Sequence, residues 1–175
     1  MKPQRSAFRR VMQWIVACGL TLGLVGCGGH YPADPGDSLN RISGGTLRVG
    51  ISHQPPWTDI SSGETDPEGI EVQLIEDYAA TINAEVEWQA GGEEELMTLL
   101  SGNELDLVIG GLTSQSPWSS DAGLTTSFAE SIGVDGSTTQ HVMAVQMGEN
   151  AFMTSLERFL LDQNIEQQVP EEMRP

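Results

Sequence analysis

Gly110, Gly111, Thr113 and Ser114 are the residues best suited to hold a small molecule, because bare backbone N–H groups stand next to two hydroxyls. They close the run Asp-Leu-Val-Ile-Gly-Gly-Leu-Thr at 106–113, which reads as a strand buried on both faces. Ligands of open α/β sheets lie beyond the carboxyl ends of such strands. The glycines admit two readings here: a backbone-lined pocket, or a turn that leads the chain out of the sheet. Trp57 and Trp118 add aromatic faces on the loops that follow two of the strands. Each could stack on a ligand or cap the apolar end of the sheet.

Other chemistries lack their residues. The serines have no nucleophile-elbow sequence around them, and no P-loop or dinucleotide-binding glycine pattern occurs. His53 and His141 have no Cys, Asp or Glu partner at metal-ligand spacing and read as structural or surface residues. No metal, cofactor or enzymatic activity is therefore expected. Glu71, in the first turn of a helix, reads as a solvated charge that complements the helix dipole.

The elements that position these residues follow from periodicity. Leu47, Val49 and Ile51 alternate as in a strand over 46–52, and Pro55-Pro56 then stiffens the loop that carries Trp57. Ile70, Leu74, Ile75, Tyr78, Ala79 and Ile82 recur at helical spacing. A second strand is read at 84–88 and a second helix at 93–100, led by Glu93-Glu94-Glu95. With the strand at 106–113, the order is strand, helix, strand, helix, strand. This implies an α/β fold with an open, mostly parallel sheet and flanking helices. A polar loop spans 114–123, a short strand is read at 124–128, and residues 131–140 are too rich in Gly and Thr to assign. A strand at 141–146 and a helix at 149–162 complete the domain.

The chain begins as an exported protein does. Lys2, Arg5, Arg9 and Arg10 precede an apolar run that ends in Leu24-Val25-Gly26-Cys27. The run is too short and too rich in Gly for a membrane span, and its last four residues match a lipoprotein cleavage site with Cys27 as the acylated residue. This divides the chain into a signal peptide at 1–26, a flexible Gly- and Pro-containing tether at 27–44, a domain at 45–162 and a polar tail at 163–175 that frays. The formal charge of the full chain is −17. Beyond the leader only Arg41, Arg48, Arg158 and Arg174 are basic. Nucleic acid is excluded as a partner, and membrane attachment falls to the lipid rather than to a basic patch.

The strand at 46–52, the phrase Glu68-Gly69-Ile70-Glu71-Val72-Gln73-Leu74 and the run at 106–113, in that order, resemble the extracytoplasmic solute-binding proteins of bacterial ABC transporters, in the subfamily that binds polar amino acids. The resemblance implies one lobe of a periplasmic binding protein type II fold on the periplasmic side of a membrane. It also implies a small polar solute such as an amino acid, held by Trp57, Gly110, Gly111, Thr113, Ser114 and Trp118. The implied partner is an ABC transporter permease or another membrane protein. Trp118 stands nearest the place where the family usually has an arginine for a ligand carboxylate. The stretch between Phe128 and His141 is too short for the family's second lobe.

Overall fold

The structure, a computed structural model, describes residues 34–60, 67–133 and 135–175. The leader, Cys27 and the first part of the expected tether lie outside those residues. The elements in chain order are α1 (Ser38–Ile42), β1 (Thr46–Ile51), α2 (Ile70–Thr81), β2 (Glu85–Ala90), α3 (Glu93–Ser101), β3 (Leu107–Ile109), β4 (Ala122–Leu124), β5 (Ala129–Ile132), β6 (Thr138–His141), β7 (Ala144–Gln146) and α4 (Asn150–Leu161).

One sheet runs β2-β1-β3-β7-β4. Its first three strands are parallel, with Ile51 beside both Ala90 and Ile109 at the carboxyl edge. β7 is antiparallel to β3 and to β4, so β7 alone is reversed and the edge strand β4 runs in the same sense as β3. The strand expected over 141–146 is in fact two. His141 ends a separate hairpin of β5 with β6, and the buried pair Val142 and Met143 carries the chain into the main sheet as β7. The strand expected at 124–128 lies earlier, at β4.

Alternation along β1 and β3 separates two cores. Leu47, Val49, Ile51, Leu107 and Ile109 face Ile75 and Tyr78 of α2 and Phe152, Leu156 and Leu160 of α4. Val108 faces the opposite way, toward Leu96, Met97 and Leu100 of α3. Each such buried side chain contributes about 1.5–3 kcal/mol. Gly50 allows α3 to pack this closely, since a Cβ there would fall 2.7 Å from Leu105 Cδ1 and 3.1 Å from Leu96 Cδ2.

Both ends of the domain reach further than expected. Within the stretch read as tether, α1 puts Ile42 fully into the core, and the Glu149 carboxylate accepts from the Gly36 N–H at 2.8 Å and the Ser38 hydroxyl at 2.6 Å. The tail read as frayed is docked as well. Ile165 and Val169 are buried four residues apart, and Arg174 donates to the carbonyls of Val169 and Gln167. Two apolar residues on one short turn suffice to hold a polar segment when a core lies beneath them.

Asp106 ties these parts together at the amino end of β3. Its buried carboxylate takes a two-pronged contact from Arg48, Nε at 3.0 Å and Nη2 at 2.7 Å, along with the Arg48 backbone N–H at 3.0 Å and Arg41 Nη2 of α1 at 2.6 Å. Burial alone would raise this carboxyl's pKa. The hydrogen bonds from Arg48 and Arg41 together outweigh burial and hold it below the usual carboxylate range. Asp106→Ala leaves Arg48 without its partner, so unfolding in urea is expected to lose about 3 kcal/mol. In the parent protein the contribution of Asp106 is present above about pH 4 and is lost as pH falls through its lowered pKa. A variant with the parent's urea midpoint, or with the parent's loss of stability in acid, would contradict this.

Candidate functional site

The strand tips meet where the sequence places the glycines, and a side chain of the protein already occupies them. The Gly110 and Gly111 N–H groups donate to Glu71 Oε2 at 2.8 and 3.0 Å. Positive φ at both residues, +152° and +65°, turns the two amides to the same side. The space beside them is also taken. A Cβ on Gly110 would lie 1.8 Å from Ser52 Oγ, and one on Gly111 would lie 2.7 Å from Gln54 Cγ and 3.2 Å from Trp57 Cδ1. The glycines let the β1 and β3 loops cross closely, and their amides bind an internal carboxylate.

Glu71 is fully buried, which corrects its reading as a solvated helix charge. It lies on the same helical stripe as Leu74, Ile75 and Tyr78, and the loop after β1 fixes its turn: its N–H donates to the Trp57 carbonyl at 2.9 Å. Burial pushes its carboxyl up to about 7, against the two glycine amides that favour the charged form. Oε1 has no hydrogen-bond partner among the described residues.

Trp57 is packed inside the lobe in the manner of a lid over the apolar end of the sheet. It is buried and stacks on His141 with ring centroids 3.7 Å apart, and Phe128 meets it edge-on at 6.2 Å. His141 is buried as well. Its Nε2 shares a hydrogen bond with Ser131 Oγ at 2.8 Å, and burial lowers its pKa to about 4, so the ring is neutral. Trp118 belongs to a short 3₁₀ turn, Pro117–Ser120. Its indole N–H donates to Glu93 at the start of α3, and Trp118, like Leu99 and Leu124, packs on the second core.

Thr113 and Ser114 do face open space. With Gln115 they line a cavity of about 420 Å³ whose other wall is Ser137, Thr138, Thr139 and Gln140 of the hairpin. Thr113 bridges to His141, and the Ser114 N–H donates to the Gln140 carbonyl at 2.9 Å, so the two walls are neighbouring backbones. Among the described residues, no hydrogen bond engages the side chains of Thr113, Gln115, Thr138 or Thr139. Three hydroxyls and an amide on these walls thus have no hydrogen-bond partner among the described residues. Of the six residues expected at the site, two line the cavity and four build the scaffold around it. The hairpin residues were missed, because a Gly- and Thr-rich stretch carries no strand periodicity. Among the described residues no cluster fits a metal ion, and no helix is long and apolar enough to cross a membrane.

The model of the bacterial extracellular solute-binding proteins, family 3, matches residues 47–162. The chain belongs to that family. No curated protein matches it significantly. Similar solved structures include the arginine-bound form of domain 1 from TmArgBP, of T. maritima, at 21% identity and TM-score 0.60 over 71% of this chain and 98% of that one. The ancestral amino acid-binding protein AncCDT-1, a precursor of cyclohexadienyl dehydratase, is 12% identical with TM-score 0.59 over 70% of this chain and 91% of that one. A Salmonella typhimurium periplasmic binding protein with high arginine specificity is 10% identical with TM-score 0.57 over 66% of this chain and 91% of that one. At these identities the likeness is one of fold. The family is one of solute-binding proteins rather than enzymes, and the described residues form a single lobe of its α/β type.

Glu71 and His141, both buried, have opposite pH signatures. Folded Glu71 keeps its proton up to about pH 7, so its contribution falls as pH rises from about 4.5 through 7. Folded His141 stays neutral down to about pH 4, so its contribution rises between about 4 and 6.5. Each is on the order of 3 kcal/mol, and in the parent they offset one another. Urea midpoints followed against pH should therefore rise more steeply toward neutrality in Glu71→Gln and fall toward neutrality in His141→Gln. Parallel profiles for both variants and the parent would refute the assignment.

Proposed function

We propose that this protein is a lipid-anchored, extracytoplasmic binding protein that takes a small polar solute of amino-acid size into the Thr113–Gln140 cavity for delivery to an ABC transporter. The observation that carries the reading is the cavity itself: unpaired hydroxyl and amide groups gathered at the carboxyl rim of a solute-binding lobe. The structural relatives whose titles name arginine or amino-acid binding support a solute of that size, and one of them is a domain 1 in arginine-bound form. Anchoring through Cys27 rests on the leader sequence.

A second reading is a docking or sensor subunit that engages a transporter or another membrane protein without binding solute. The occupation of the Gly110 and Gly111 amides by Glu71 favours it, since those donors are withdrawn from any ligand. An enzymatic role has no support in the residues that line the cavity, which include neither an acid nor a base.

Calorimetry and thermal shift against amino acids, amines and polyols separate the first two readings. Binding of at least one class is expected, and Thr113→Val, which removes one hydrogen bond, should weaken it about five- to tenfold. A folded protein that responds to no solute, yet captures a specific membrane protein, decides for the docking subunit. Cys27→Ser is expected to move the protein from the membrane fraction to the soluble periplasmic fraction; retention in the membrane would exclude the acyl anchor.

A further inference from the structure

We propose that the cavity selects a cationic amine that lacks a carboxylate over the corresponding amino acid. This rests on the reading of the cavity as a solute site and narrows the class of solute. The lining of Thr113, Ser114, Gln115, Ser137, Thr138, Thr139 and Gln140 contains no charged group. Two carboxylates hold lining residues from just outside it. Glu130 Oε1 accepts from Gln140 Nε2 at 3.2 Å, and Asp135 Oδ1 accepts from the Ser137 N–H at 3.0 Å and its hydroxyl at 2.7 Å.

Among the described residues, no positive charge balances them. Arg41 and Arg48 are committed to Asp106 at 2.6 and 2.7 Å, and Arg174 is folded onto the carbonyls of Val169 and Gln167. Arg158 lies in the last turn of α4 and does not line the cavity, and the sequence has no lysine after Lys2. His141, which backs the site, is buried and neutral, and His53 lies 3.5 Å from Asp59. A carboxylate placed here would meet two like charges and no cation. An ammonium meets the same two charges as attraction, and hydroxyl and amide oxygens of the lining can accept its N–H groups. Hydroxyls serve either kind of ligand equally well, so the field of Glu130 and Asp135 decides between them.

Agmatine and arginine differ only in the carboxylate and make the direct test. Titration calorimetry on the purified protein should show agmatine binding about tenfold more tightly than arginine, as expected for one carboxylate set near two others. Putrescine should bind and glutamate should not. The preference should shrink as salt screens the carboxylates. It should also shrink several-fold in the double variant Glu130→Gln, Asp135→Asn, with an unchanged far-ultraviolet circular dichroism spectrum.

Arginine binding as tightly as agmatine, or more tightly, would overturn the amine assignment and leave solute binding intact. A preference that survives in the double variant would overturn it too, by tracing the effect to the general negative charge of the chain. Silence from every solute in a folded protein would remove the solute reading, and the amine assignment with it.

Discussion

The contact between the Glu71 carboxyl and the amides of Gly110 and Gly111 is the constraint on which the rest of the lobe's working end depends. It joins the first turn of α2 to the end of β3, and the Trp57 carbonyl in turn holds the Glu71 N–H. Three segments far apart in sequence are thereby fixed to one another at the carboxyl edge of the parallel strands. The cost is a buried carboxyl shifted to about 7, whose second oxygen has no hydrogen-bond partner among the described residues. Two amide donors and close packing of helix on strand offset that cost, and they leave the strand tips closed to any visiting anion.

Closing the tips leaves the open space farther out. Glu71 occupies the glycine amides and Trp57 is stacked on His141, while the segment from Thr113 to Gln115, just beyond Gly111 and Leu112 in the chain, faces open space. His141 connects the two levels. Its ring lies in the buried layer, while its backbone bridges Thr113, so the position of the cavity wall is set by the packing of an apolar stack beneath it. The neutral imidazole matters here, since a charged ring in that layer would have to be desolvated against Trp57. Substitutions in the stack should therefore register at the cavity, although Trp57 and His141 are themselves buried.

How much of this could be read from sequence depends on how each residue announces itself. The alternation of Leu47, Val49 and Ile51 and the unbroken Leu107-Val108-Ile109 are direct consequences of one- and two-sided burial, and they placed the parallel strands and their order. Glu71 shows that position outranks charge. Its spacing to Leu74, Ile75 and Tyr78 puts it on the buried stripe, and a carboxylate on such a stripe calls for donors, which a glycine pair can supply. The docked segments at Ser38–Ile42 and around Ile165 and Val169 carry too few apolar residues for periodicity to show. Their attachment comes from Glu149 and from a core that only the assembled fold creates. The hairpin of β5 and β6 is hidden for a related reason: with polar residues on the outward side of β6 and only His141 at its end turned fully inward, it has no apolar alternation to display.

In the proposed function, that hairpin is what lets a single lobe hold a solute. A flat sheet edge offers a ligand one surface, and most of the ligand stays wet. Here β6 runs beside the Thr113–Gln115 segment and supplies a second wall from the same chain, so hydroxyls converge from two sides without a second lobe. The third side remains open, which limits how much apolar area a ligand can bury. Its affinity must then come from hydrogen bonds and from charge, both of which water and salt weaken. A lobe of this design binds less tightly than a closed clamp and releases more readily, and any partner that covers the open side gains directly from the contacts the lobe leaves unmade.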